Sequence, residues 1–366
     1  MTFAYRADHV GSLLRPPELL KARQDVASGA LDTEKLRELE DAAILAALDM
    51  QQSAGVSAVT DGELRRAAWM TDLTEAVEGF VPEHVTLEWR GGEGNEARPS
   101  LARVVGGKLQ QIRRVTAHES GFLLKHARGP VKMTIPSPML YGQVAYKPGL
   151  TDQFYPTRLD LMLAVAAIIR LEIAALIDEG VRYIQLDAPT YTYLADDRLR
   201  QRPEHSGGDP EAQLDASIAA DNAAVKGLHR PDVTLAIHLC RGNSRSQWLA
   251  EGSYDPIAEK LFSQLDVNAF LLEYDSDRAG GFEPLRFMPP GKAVVLGLVS
   301  SKLPEMESRG LLKRRIDEAS KYVPLENLAL SPQCGFASTA EGNLLTQDEQ
   351  RRKLELVAEV AREVWR

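Results

Sequence analysis

Cysteine is scarce in this chain of 366 residues. Cys240 and Cys334 are its only two, too few for the disulfide framework of a small secreted protein. Basic excess is lacking as well: 43 Lys and Arg stand against 52 Asp and Glu, a formal charge of −9. That balance argues against a nucleic-acid or anionic-membrane surface as partner. No apolar run is clean enough to span a bilayer, because residues 159–177 are interrupted by Asp160, Arg170 and Glu172 and read as a buried helix. The opening MTFAYRADHV has no apolar centre and does not resemble a signal peptide. Low-complexity tracts and short-period repeats are also missing. What remains is an acidic globular protein, expected to be soluble and cytoplasmic. Its 44% hydrophobic and 26% charged residues are ordinary for a folded domain.

What is present is alternation. Short β-rich runs at 5–12, 57–60, 131–135, 183–187, 233–238, 269–274, 293–299 and 328–330 predict eight strands. Helical patterns lie between them. Those at 33–52 and 157–179 run up to Gly55 and Gly180, residues suited to a left-handed C-terminal cap. Others follow at 209–226, 256–264, 305–322 and 347–365. Strands separated by helices imply parallel pairing. Eight such units predict an α/β fold, a (β/α)8 TIM barrel occupying 1–366 as one domain. A dinucleotide-binding sheet finds no support, since no Gly-x-Gly-x-x-Gly follows a strand.

The rhythm breaks once, at about 85–115. There 86–89, 101–105 and 108–115 read as short antiparallel strands, a β-rich insertion after the second strand. Gly91-Gly92-Glu93-Gly94 would form a hairpin tip. Barrel sites lie at the C-terminal ends of the strands, so the excursion could roof the site or contact a second copy.

The ends of the late strands carry the chemistry. The fifth ends Ile237-His238-Leu239-Cys240, the sixth holds Leu272-Glu273-Tyr274, and the eighth leads into Gln333-Cys334-Gly335. Nitrogen, sulfur and oxygen donors in this mixture suit tetrahedral zinc. His238 and Cys240, two apart on an extended segment, leave the strand on one side. The competing reading is packing, because free cysteine is a common small buried residue.

His-x-Cys, a later Glu, and Cys-Gly resemble the zinc ligands of cobalamin-independent methionine synthase. More closely, the chain resembles short single-barrel proteins homologous to that enzyme's C-terminal catalytic domain. Asp8-His9-Val10-Gly11-Ser12, Thr60-Asp61-Gly62-Glu63, Gln185-Leu186-Asp187 and Ser331-Pro332-Gln333-Cys334-Gly335-Phe336 carry the likeness in the family's order. It implies zinc held by His238, Cys240, Glu273 and Cys334. It further implies that Val10, Gly11, Ser12, Glu63 and Asp187 hold the amino-acid end of homocysteine, with Glu63 and Asp187 in the catalytic set. That fits the ligand's chemistry: an ammonium calls for carboxylates, and an α-carboxylate calls for N–H and hydroxyl donors. Glu273, the most labile of the four donors, is expected to yield its place to the substrate sulfur.

The donor side departs from the family pattern. A histidine associated with protonating the folate is replaced by Val299. A tryptophan is absent after the third strand, leaving Tyr141 as the nearest aromatic, and a carboxylate six residues after Asp187 is replaced by Tyr193. Tyr141 and Tyr193 are thus expected to line the substrate site. With His9 and Ser300 they are the candidate acids. The basic stretch Arg241–Arg245 meets either a substrate anion or solvent, and the other histidines read as surface residues. Three functions stay open. One is methyl transfer from a methyltetrahydrofolate-type donor to homocysteine, giving methionine. Another is zinc-dependent alkylation of a different thiol or from a different donor, such as the epoxide opening of coenzyme M transferases. The last is a non-catalytic, zinc-stabilised barrel. A homo-oligomer is compatible with all three.

Overall fold

The structure, a computed structural model, describes residues 3–91 and 94–365. Its strands are β1 (Val77–Trp89), β2 (Glu96–Gln111), β3 (Lys132–Pro136), β4 (Tyr183–Asp187), β5 (Thr234–Leu239), β6 (Ala269–Glu273), β7 (Ala293–Val299) and β8 (Leu328–Pro332). The last six form one parallel sheet in sequential order, β3-β4-β5-β6-β7-β8. Helices cross between neighbours, as parallel connection requires. Helix Arg158–Glu179 shows why they start and stop where they do. Thr157 and Asp160 cap each other's backbone N–H groups, and Gly180 ends the helix with φ 105°. Its outer face is less buried than the composition suggests, with Leu171 67% exposed. No helix among the described residues is long and apolar enough to cross a membrane.

The first two expected strands contribute only single bridges, Ala7 to Leu330 and Val59 to Val131, both parallel. One bridge meets β8 at one edge of the sheet; the other meets the chain entering β3 at the opposite edge. The two segments are joined by Ser57 N–H donating to Ala7 O at 2.7 Å. Side chains explain the missing ladders. Gln51 takes both the N–H and the C=O of Thr60, and Ser57 Oγ accepts from Ala7 N–H. Backbone groups satisfied by side chains are withdrawn from a ladder.

The irregular segment is longer and simpler than expected. In place of three short strands at 85–115, β1 and β2 form one antiparallel hairpin over 77–111. Gly92 and Glu93, in the expected tip, lie outside the described residues. Near the tip, Arg90 and Trp248 exchange backbone hydrogen bonds at 2.8 and 3.0 Å, and Arg98 donates to Gln247 at 2.7 Å. The hairpin therefore leans on the loop that follows β5.

Candidate active site

Alternate residues of a strand face alternate sides. Ile184, Leu186, Ile237, Leu239, Phe270 and Leu272 join the large core against the helices. Tyr183, Ala236, Ala269 and Leu271 join a second cluster, with Val295 and Ala329, on the other face. The same two-residue step continues that second face to Gln185 and Asp187 on β4, to His238 and Cys240 on and just after β5, and to Glu273 on β6. Asp187 pairs in register with His238. Apolar packing thus fills the face at the strand starts, and functional groups occupy it at the C-terminal ends.

Three of the four expected metal donors come together. One ligand atom each from His238, Cys240 and Cys334 lies within 4.8 Å of the others, and all three residues are buried. Neither ring nitrogen of His238 has a nitrogen or oxygen partner among the described residues, and its polar neighbour is the Cys334 sulfur; a buried imidazole so placed is costly unless another ligand satisfies it. The thiols are unequal: a hydrogen bond from Cys240 holds Cys334 well below the usual thiol range. That same bond, together with burial, pushes Cys240 up. Two buried sulfurs and an imidazole at this spacing fit zinc, whose tetrahedral ligands stand about 3–4 Å apart.

Glu273 does not join that group. Its Oε1 accepts from Arg278 Nε at 2.9 Å, and its Oε2 from the backbone N–H of Arg241, also at 2.9 Å. Burial opposes its ionisation, yet Arg278, Arg241 and Lys302 hold its carboxyl below the ordinary range. The expectation that Arg241 lies at a substrate or solvent boundary is corrected by its burial. It is 0% exposed, and its guanidinium donates to Gly252 O, Tyr254 Oη and Glu273 O. Lys302, which the sequence reading passed over, clamps the same loop through Gly242 O at 2.9 Å and Asn243 Oδ1 at 2.7 Å.

Beside the thiols stand two half-satisfied carboxylates. Asp187 Oδ1 accepts from Gln185 Nε2 at 2.7 Å. Glu63 Oε1 accepts from Thr134 Oγ1 at 2.8 Å, while its buried Oε2 has no partner among the described residues. Burial, with Asp187 nearby, pushes Glu63 up to about 7 against the pull of Arg66. Burial pushes Asp187 up to about 6. Glu63 also sits at φ 56°, a left-handed conformation that costs a non-glycine residue about 1–3 kcal/mol and is typical of functional positions. Gly11 is required at its place, for a Cβ would come 2.8 Å from Thr134 Cγ2 and 3.0 Å from Glu63 Oε1. Ser12 packs on the loop of Cys334: its Oγ occupies the space a Cβ on Gly335 would need. Val10 is buried beside it and gives its carbonyl to Gln185.

The remaining predicted residues divide. Tyr193 lies close enough to Cys240 to be raised by its charge after burial, and its ring meets His205 at 4.9 Å. Tyr141 is fully buried beside Phe80 of β1, its Oη without a partner among the described residues, and burial keeps it protonated. His9 is buried, and desolvation with Lys132 nearby pushes it down to about 4. It is therefore neutral at pH 7 and a weak acid candidate. Val299 ends β7 fully buried, with no titratable group to offer.

A family model described as the cobalamin-independent synthase catalytic domain matches residues 6–363. The chain belongs to that family. Bacillus subtilis YxjH is 40% identical over 99% of this chain and 95% of its own length. A crystal structure from Listeria monocytogenes, named as a candidate vitamin-B12-independent methionine synthase, superposes with TM-score 0.76 at 30% identity and covers 100% of this chain and 99% of that one. The methionine synthase of Pyrococcus abyssi is 24% identical over 89% of this chain and 85% of its own. Membership in this synthase family agrees with the α/β architecture and parallel sheet described above.

Proposed function

We propose that the protein is a zinc-dependent S-methyltransferase that methylates homocysteine to methionine, folded as one closed (β/α)8 barrel domain over 1–366. The observation that carries this reading is a juxtaposition. A buried group of two thiols and an imidazole has Asp187 in register beside its His238, and Glu63 is buried as well. Each of these carboxylates has one oxygen pinned by a protein donor. His238, Cys240 and Cys334 would hold zinc, with Glu273 as fourth donor after leaving Arg278. Bound zinc supplies deprotonation of the substrate thiol at neutral pH and a fixed place for its sulfur. The chain's own residues do the rest. Glu63 Oε2 and Asp187 Oδ2 receive the ammonium, whose charge favours ionisation of both carboxyls. Backbone N–H groups near Gly11 and the Ser12 hydroxyl face the α-carboxylate. The hairpin and the loop it touches exclude water above them.

A second reading concerns the methyl source. Val299 at the end of β7 and protonated Tyr141 after β3 provide a more apolar donor side than a tetrahydrofolate leaving group calls for. A donor whose leaving group needs no proton fits that lining. The experiment is metal analysis combined with methionine formation from L-homocysteine, using methyltetrahydrofolate, its polyglutamates and methylcobalamin as alternative donors. Stoichiometric zinc with turnover on one donor is expected. Absence of zinc, or turnover unchanged by chelation, overturns the reading.

A further inference from the structure

Below the carboxylates runs a buried polar column that the proposed chemistry does not use. Lys132 Nζ, on β3, donates to Asp8 Oδ1 at 2.8 Å, to Gln185 Oε1 at 3.0 Å and to the carbonyl of His9. Asp8 also accepts from Tyr183 Oη at 2.6 Å. On its other side, Gln185 Nε2 donates to Asp187 Oδ1 and to Val10 O, each at 2.7 Å. Asp8, Lys132 and Gln185 are all 0% exposed.

The chemistry fixes the amide's orientation. An ammonium has only donors, so Gln185 must turn its oxygen toward Lys132. The carbonyl of Val10 and the carboxylate of Asp187 have only acceptors to offer, so the nitrogen must face them. Asp8 in turn holds Lys132 and compensates its charge. The amide therefore spans two pieces of chain that, in the function proposed above, hold the carboxylate and the ammonium of one α-amino-acid group. One is the 8–12 segment, which follows the Ala7 bridge to β8. The other is the C-terminal end of β4.

We infer that Gln185 is a positioning residue: oriented by the Asp8–Lys132 pair, it sets the spacing between the Val10–Ser12 segment and Asp187 and so confers selectivity for thiols that carry an α-amino-acid group. This rests on the function proposed above and goes beyond it by naming the part of the molecule that distinguishes an amino-acid thiol from a simple one. Gln185 touches no reacting atom. It also presents Asp187 with one oxygen engaged, which turns the other toward the ammonium.

The test uses zinc-loaded protein and two probes in calorimetric titration, L-homocysteine and 2-mercaptoethanol. Gln185→Glu keeps the shape and can still accept from Lys132, but it meets Val10 O and Asp187 with no donor. Gln185→Met removes the hydrogen bonds without adding charge and guards against a folding defect in the first variant. Affinity for L-homocysteine should fall about tenfold or more in both. Affinity for 2-mercaptoethanol and zinc stoichiometry should stay unchanged. Equal losses for the two thiols, or lost zinc, would show a merely structural role and overturn the inference. So would unchanged homocysteine binding. A wild-type protein that binds zinc but does not prefer L-homocysteine fails differently: it overturns the amino-acid-thiol reading itself.

Discussion

The two sides of the site are built from different materials. On the thiol side, β4, β5, β6 and the loop after β8 deliver charged and sulfur-bearing groups, and the carboxylates each have a polar neighbour that fixes them. Asp187 has Gln185, Glu63 has Thr134, Glu273 has Arg278, and the loop after Cys240 has Lys302. On the donor side, β7 ends in buried Val299 and the helix after β3 presents Tyr141, whose hydroxyl has no partner among the described residues. A polar group held by another polar group is specified in position, and a site that must place a sulfur and an ammonium needs that. The apolar side specifies shape without charge. Under the proposed function, the contrast means that selectivity rests on the thiol, while the methyl source is constrained more by fit.

The largest effect that could break this contrast comes from the sulfurs. Cys240→Ser and Cys334→Ser should each abolish zinc binding and lower thiol methylation by about 10³-fold or more, since a hydroxyl is a poor ligand for this ion. Metal analysis beside initial rates checks it; full zinc occupancy in either variant would remove these residues from the metal site. Asp187→Asn comes next. It should keep zinc and lower kcat/KM for homocysteine by about 10²-fold, the loss of one charged partner to a buried ammonium.

Glu63 sharpens the comparison through pH. Its carboxyl, raised to about 7 chiefly by burial, is neutral below that pH and cannot pair with the ammonium, so kcat/KM should climb as pH rises through 7. Glu63→Gln should flatten that limb and lower the plateau. Stability runs the opposite way. A raised carboxyl contributes most below its ordinary value near 4.5, and the contribution is lost as pH rises through about 7. Thermal melts should therefore show the Gln variant gaining on the parent between pH 5 and pH 8. The smallest effect falls on the donor side. Tyr141→Phe should leave zinc and homocysteine affinity unchanged and alter KM for the methyl donor by only about threefold, the worth of one neutral hydrogen bond. A matching loss of homocysteine affinity would erase the division between the two sides.

Legibility in the sequence followed local physics. The six strands of the sheet could be read because each is a short apolar run, and Gly55 and Gly180 end their helices at φ 85° and 105°. The two strands expected at 5–12 and 57–60 form only single bridges, because the side chains of Gln51 and Ser57 take the backbone groups a ladder would use. The hairpin begins at Val77, before the expected 85–115: the register shifts between Glu78 and Phe80, and Pro82 pairs with Arg103 in a two-stranded ribbon. Within the site, strand parity placed His238 and Cys240 on one side without any fold. Arg278's hold on Glu273, and the burial of Arg241, depend on loops whose course the sequence does not dictate. Lys132 did leave a signal, a lone cation inside an apolar strand, but its meaning needed Asp8 and Gln185 beside it.

The central claim is that His238, Cys240 and Cys334 hold one zinc ion in a site that accepts a substrate sulfur. X-ray absorption at the zinc edge, on protein loaded with zinc and measured with and without L-homocysteine, tests it most directly. Two sulfur neighbours rising to three on adding homocysteine is the predicted result. Zinc surrounded by nitrogen and oxygen alone, or a sulfur count that homocysteine leaves at two, would contradict it.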